Sequence, residues 1–290
     1  MKITYEHVTY RYHSTAPPAL NDVHLEFDTT HLTGICGMTG SGKSTFIQHV
    51  NGLLKPSSGC VRIDQEDIHQ SLAALRRVRQ CIGMTFQFPE RQLFGRTVWE
   101  ELSYTLEKQH VPAQDITRRI ESVAALLRVD LHQHRNHSPF ALSQSDQRKL
   151  GIAVILTLQP ELLVLDEPTA GMDRARASQF LDVLRSLHDH HNRHCLIVSH
   201  DLELLLKFTQ QIIVLAEGKI VFVGTPDAIV NAAAHLETAG ILLPPVHRTL
   251  RLLRETYPQL SPGGISVSDV IAEVILPLDL LLKKNIDRSP

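Results

Sequence analysis

Eight consecutive residues, Gly37, Met38, Thr39, Gly40, Ser41, Gly42, Lys43 and Ser44, carry the clearest chemistry in this 290-residue chain. They match G-x-x-x-x-G-K-S/T, in which glycines let backbone N–H groups converge on phosphate oxygens at a helix N-terminus whose dipole favours anions. Lys43 is placed to reach the β and γ phosphates of a nucleotide. Ser44 offers a hydroxyl to Mg2+, a cation that prefers oxygen ligands.

A second group is Leu162-Leu163-Val164-Leu165-Asp166-Glu167, a short apolar run that ends in two adjacent carboxylates. Such a run reads as a buried strand, and α/β sheets bind ligands at the C-terminal ends of their strands. Asp166 is expected to hold Mg2+ through water, and Glu167 to polarise the water that attacks the γ phosphate. His200, in Val-Ser-His-Asp, follows the strand-like segment Cys195 to Ser199 and is set either to contact the γ phosphate or to orient Glu167. The other 16 histidines, including His132, His134 and His137 and the run His188, His190, His191 and His194, are expected on the solvated surface. Those runs lack the supporting carboxylate or cysteine geometry of a metal site.

The elements that must hold these groups follow from periodicity. Leu32 to Cys36 reads as a strand, and Phe46, Ile47, Val50, Leu53 and Leu54 recur at helical spacing, which gives strand, loop and helix in the required order. Residues 1 to 35 alternate (Ile3, Tyr5, Val8, Tyr10; then Val23, Leu25, Phe27) around a turn-rich gap and predict an antiparallel β layer. Ile116, Ile120, Val123, Ala124 and Leu127 share one helical face, which predicts a helical subdomain in mid-chain. Short apolar strands separated by helices imply right-handed βαβ crossovers. After Gly224-Thr225-Pro226 the pattern turns helical, and the proline-punctuated tail, with Val246, Leu250, Leu253, Val270, Ile271 and Val274, predicts a small appendage.

Composition narrows the remaining classes. A formal net charge of −2 at pH 7 gives no basic field for phosphate neutralisation, so a dedicated nucleic-acid binder is disfavoured. Cys36, Cys60, Cys81 and Cys195 form no Cys-x-x-Cys pair and suit a reducing cytosol. The charged and polar start argues against export. The most apolar stretches are interrupted short of the roughly 20 residues that a membrane span needs, so any membrane role must go through partners.

Taken in order, the phosphate loop, Gln87 in FQFPERQLF, LSQSDQRKLGIA, LVLDEPTAGMD and VSHD resemble the ABC ATPases over nearly the whole chain. The similarity is strongest to the energy-coupling factor ATPases, and among them to the second paralogue, through TGSGKSTFIQHVNGLLKPSSG, FQFPERQLFGRTV and SPFALS. The resemblance implies an α/β fold of the P-loop, ABC ATPase type: a mixed-sheet core, an antiparallel β layer, a helical subdomain inserted at about 88–160 of a 1–235 ATPase domain, and a 236–290 helical appendage that contacts a dimer partner. It implies ATP and Mg2+ as ligands. Tyr12 matches the aromatic that stacks on adenine, Thr45 extends the nucleotide loop, Gln87 reaches Mg2+ and the attacking water, and Asp173 belongs to the D-loop. The implied partners are a paralogous ATPase subunit in a heterodimer, a transmembrane coupling protein that docks on the loop of Glu90, Gln92 and Phe94, and a substrate-binding membrane protein. The implied place is the cytoplasmic face of the membrane, and the implied task is to power uptake of vitamins or related micronutrients. Two other readings stay open: an ATPase of a different ABC importer or exporter, and a nucleotide-gated binding module in which turnover is secondary.

One segment departs from the family. Its signature, Leu-Ser-Gly-Gly-Gln, clasps the γ phosphate held by the opposite subunit, whereas this chain has Leu142, Ser143, Gln144, Ser145 and Asp146. Losing both glycines removes room for close backbone approach, and Asp146 adds a negative charge. At roughly 8 Å and an effective dielectric of about 20, one such charge pair costs about 2 kcal/mol. Ser143 followed three residues later by Asp146 also forms a capping-box pattern, so the helix itself is expected to start well.

Overall fold

The computed structural model describes residues 1–191 and 193–256. The chain opens with strands β1 (Lys2–Tyr10), β2 (Leu20–Asp28) and β3 (Thr33–Cys36), then helix α1 (Lys43–Val50). Strands β4 (Ser58–Ile63) and β5 (Glu66–Asp67), helix α2 (Leu72–Cys81) and strand β6 (Ile82–Thr85) follow. Four helices come next: α3 (Val98–Lys108), α4 (Ala113–Leu127), α5 (Leu131–His134) and α6 (Gln144–Thr157). The chain then alternates β7 (Leu162–Asp166), α7 (Arg174–His191), β8 (His194–Val198), α8 (Leu202–Phe208), β9 (Gln211–Ala216) and β10 (Lys219–Gly224). Three further helices, α9 (Pro226–Asn231), α10 (Ala233–Thr238) and α11 (Pro245–Thr256), close the described chain.

Two sheets form. One has the order β2-β1-β4-β5 with antiparallel pairing; the other has the order β10-β9-β3-β8-β7-β6, parallel except for the β9–β10 hairpin. The expected antiparallel layer and mixed core are therefore present, and the parallel neighbours β3, β8, β7 and β6 place their C-terminal ends on one edge.

The continuous apolar runs in the central strands are explained by two cores, one on each face. Ile35, Leu162, Val164, Leu196, Val198, Ile213 and Leu215 face the antiparallel layer, where Tyr5 stacks on Phe46. Their neighbours Cys36, Leu163, Leu165, Cys195, Ile197, Ile212 and Val214 face the helices. A strand that is covered on both sides has no position for a polar residue. Leu236, Ile241 and Leu243 join this second core, so the chain beyond residue 235 continues into it.

In mid-chain, helix α3 starts where its cap dictates. The Thr97 hydroxyl accepts the Glu100 N–H at 3.1 Å, and α4 buries the predicted stripe Ile116, Ile120, Val123, Ala124 and Leu127. Val270, Ile271 and Val274 lie outside the described residues.

Two histidines correct the solvated-surface expectation. His49 is fully buried, its Nδ1 bonded to the Thr45 carbonyl at 2.8 Å and its ring edge-on to Tyr10; His247 is 2% exposed. They lie on helices α1 and α11, on sides turned into the protein. His194 is only half-buried, yet its Nδ1 is shielded from solvent and has no partner among the described residues.

Candidate nucleotide-hydrolysis site

The phosphate loop joins the end of β3 to the start of α1, and its shape depends on glycine at two points. Gly37 has φ +155°, and a Cβ there would lie 2.2 Å from the Leu215 carbonyl oxygen; Gly42 has φ +101°, and its Cβ would lie 2.4 Å from that of Ala19. No other residue fits either place without moving backbone. Within the loop, Ser41 Oγ is buried and has no hydrogen-bond partner among the described residues. Lys43 Nζ donates to the carbonyls of Gly37 (2.8 Å) and Met38 (2.9 Å), folding over the loop. Burial lowers the Lys43 pKa, while the carboxylates of Glu167 and Asp166 oppose that shift.

Asp166 ends β7 and is 6% exposed. Burial raises its pKa, and the Ser44 hydroxyl, which bonds it, pulls the other way. Ser44 and Asp166 thus place two oxygen ligands near each other, a set suited to Mg2+.

Glu167 follows in a left-handed conformation, φ +49°, uncommon for a residue with a side chain. Its N–H donates to the Val198 carbonyl at 2.9 Å, tying the turn to the neighbouring strand. Its carboxylate is anchored by His200 twice: the backbone N–H donates to Oε1 at 2.9 Å, and Nδ1 lies 2.9 Å from Oε2. Ser199 Oγ lies 3.5 Å from Oε2 as well. The contrast in exposure is useful here, because the Glu167 side chain is 10% exposed and the His200 ring 71%, so one group is fixed and the other reaches outward.

Lys43, Ser44, Asp166, Glu167 and His200, expected to share one site, all lie at the same edge of the sheet. Gln87 stands exposed two residues past β6, beside β7. Tyr12 is 54% exposed rather than part of the core, and its hydroxyl bonds Thr45 Oγ1 at 3.0 Å. Asp173 caps α7, accepting the Arg176 N–H at 2.9 Å.

The signature segment is capped as expected. Ser143 Oγ accepts the Asp146 N–H at 3.2 Å and donates to Asp146 Oδ2 at 2.7 Å, and Lys149 Nζ lies 3.2 Å from Asp146 Oδ1. Although burial works against it, Ser143 and Lys149 hold the Asp146 carboxyl below its ordinary range.

Two further connections were not legible beforehand. Arg148 on α6 forks onto Glu90 (Nε–Oε2 3.2 Å, Nη2–Oε1 3.1 Å), and both side chains are at most 9% exposed. One turn further on, Gly151 lets α6 approach Pro89 so closely that a Cβ would meet its carbonyl oxygen at 2.9 Å. The loop after β6 and the helix behind the signature are therefore tied together. Glu90 faces inward, whereas Phe94 is 60% exposed and packs edge-on to Tyr104, with centroids 5.0 Å apart. Nothing in the sequence pattern links Arg148 to Glu90, 58 residues away.

A phosphate loop on the central sheet, with a paired carboxylate and histidine at adjacent strand ends, defines a P-loop ATPase of the cassette type. The family model described as "ABC transporter" matches residues 20–170. The energy-coupling factor transporter ATP-binding protein EcfA2 of Clostridium tetani is 34% identical over 278 residues, covering 95% of this chain and 96% of that protein. Its counterpart in Bacillus cereus is 33% identical over 281 residues, covering 95% and 96%. Among solved structures, cbiO1 from Clostridium perfringens, part of the ABC transporter complex cbiONQ, superposes with a TM-score of 0.73 at 27% identity over 86% of this chain and 98% of that one. The ATP-binding cassette MJ0796, at 24% identity and a TM-score of 0.69, shares the fold. The chain belongs to the ABC transporter family and, within it, to the ATP-binding proteins of energy-coupling factor transporters.

Proposed function

We propose that this chain is the catalytic half of an ATPase heterodimer at the cytoplasmic face of the cell membrane, powering uptake of a vitamin or related micronutrient through membrane partners. The observation that carries the reading is the buried Glu167 carboxylate, held at a left-handed strand end by His200 beside the phosphate loop. In this reading Gly37 to Thr45 cradle the triphosphate and the unpartnered Ser41 hydroxyl gains an acceptor. Lys43 swings from the loop carbonyls to the phosphates, and Tyr12 stacks on adenine. Ser44, Asp166 and Gln87 would hold Mg2+, which when bound neutralises charge on the β and γ phosphates. Glu167 accepts a proton from the attacking water, and His200 keeps its carboxylate aimed while reaching toward the γ phosphate.

The altered signature supports asymmetry between the two composite sites. Asp146 places a carboxylate, already bonded to Ser143 and Lys149, at the helix start that would otherwise clasp the partner's γ phosphate. The hydrolytic site is then the one built from this chain's Lys43, Asp166, Glu167 and His200 and an intact signature on a paralogous subunit; the D-loop Asp173 lies along the same dimer face. We assign residues 1–235 to the ATPase domain and 236–290 to a dimer-contacting appendage, anchored on that domain by Leu236, Ile241 and Leu243. The exposed Phe94 beside Tyr104 would dock the transmembrane coupling protein, which in turn engages a substrate-binding membrane protein. No helix among the described residues is long and apolar enough to cross a membrane, in keeping with a peripheral subunit.

The test is steady-state ATPase activity of this chain alone and mixed with its paralogue, with and without Glu167→Gln. Activity that appears in the mixture and is lost in the variant supports the motor. No turnover in any mixture would favour a nucleotide-gated binding module, and equal hydrolysis at both composite sites would remove the asymmetry.

A further inference from the structure

A cavity of about 430 Å³ opens away from the nucleotide loop, where α4 and the end of α6 cross the starts of β7 and β8. Its volume lies within the range of small-molecule sites, roughly 300–1,000 Å³. Its floor is apolar: Leu163 and Cys195 are register partners in β7 and β8, and Leu156, Leu187 and Leu126 complete the walls.

Two guanidinium groups line this apolar space, and no carboxylate does. Arg119 Nε is shut off from solvent and meets no acceptor among the described residues. Arg193 commits Nη1 to the carbonyls of Gln159 (2.8 Å) and Pro160 (2.9 Å), which fixes the rest of its fork at the cavity wall. A buried guanidinium N–H without an acceptor is costly, and a planar carboxylate is the partner that its geometry fits best. Apolar walls with a cationic rim call for an amphipathic anion: an acid group at the arginines and a hydrocarbon body along the leucines.

We propose that this cavity binds a monocarboxylate with an apolar tail, of the medium-chain fatty acid class, its carboxylate paired with Arg119 and Arg193. Cys195 lies at the tail end of the site; its thiol is fully buried, and burial raises its pKa to about 12, so it acts as an apolar wall and not as a nucleophile. The ligand bridges α4, in the helical insertion, to the two strands whose far ends carry Asp166, Glu167 and His200, and so tightens the joint between them.

The experiment titrates octanoate, octylammonium and octanol into the full chain, following melting temperature and calorimetric heat. Saturable one-to-one binding is expected for octanoate alone, with a melting temperature that rises with its concentration. Arg119→Met, which keeps the apolar stem and removes the charge, should weaken octanoate at least tenfold. Ala125→Trp, at an exposed lining position, should block the cavity without disturbing the core. Equal binding of octylammonium, undiminished octanoate affinity in both variants, or no saturable octanoate binding by the wild-type chain would each overturn the proposal. The wild-type comparison of the two charge types decides the matter even if a variant folds poorly.

Discussion

His200 grips Glu167 at both carboxylate oxygens, by its backbone N–H at 2.9 Å and by imidazole Nδ1 at 2.9 Å. The two bonds do different work. The backbone bond belongs to the fold and survives any side-chain change, whereas the imidazole bond belongs to the residue type. Glu167→Gln keeps the shape and removes the proton acceptor, so ATP binding should persist while turnover in the mixed dimer falls by about 10²–10⁴-fold. His200→Ala leaves one anchor on Glu167 and should cost less. Nucleotide-binding titrations beside steady-state rates check both, and a Glu167→Gln enzyme that turns over normally would contradict the assignment.

The buried Arg148–Glu90 pair ties the loop after β6 to the helix behind the signature. Arg148→Met would strand a carboxylate that is 9% exposed, at a cost of roughly 3–5 kcal/mol. Replacing both residues by methionine removes the orphan charge and should recover most of that loss. Urea unfolding of the two single variants and the double variant measures this. A single variant no worse than the double would mean that the pair is solvated in solution.

Restoring glycine at Gln144 and Ser145, with Asp146→Gln, should leave the helix start intact, because Ser143 still caps it. The Asp146–Lys149 contact is a partly exposed pair with little to lose, typically under about 1 kcal/mol. Removing the roughly 2 kcal/mol of phosphate repulsion should speed the impaired composite site by up to roughly 30-fold. The readout is the ATPase rate of a mixed dimer whose other site is silenced by Glu167→Gln in this chain. An unchanged rate would put the impairment elsewhere.

Much of this site was legible because its parts are local in sequence. Gly37 to Ser44 impose their own turn, Leu162 to Glu167 announce a doubly covered strand, and Ser143 with Asp146 spell a cap. What escaped was long-range. Arg148 and Glu90 are 58 residues apart, and no periodicity links them. His49 and His247 are polar by type, yet they stand at helix positions where packing against Tyr10 or α9 overrides composition. The cationic cavity takes residues from α4, β7 and β8 and exists only once those segments cross.

His49 gives the stability of the fold a pH signature. Burial, opposed by the bond to the Thr45 carbonyl and helped by nearby His69, lowers its pKa from 6.5 to about 4, so the folded state holds the ring neutral. The unfolded chain takes up a proton as pH falls through 6.5, and the folded chain does so only near 4. Between those values the unfolded state binds more protons, so stability from this group is complete above pH 6.5 and is lost progressively down to about pH 4. The full difference is on the order of 3 kcal/mol. Thermal melts at stepped pH should show a falling transition temperature over this window, and His49→Gln should flatten its slope while lowering stability at neutral pH. A wild-type slope that His49→Gln leaves unaltered would mean that other groups whose pKa burial lowers, such as His69, His194 and His247, dominate the acid response.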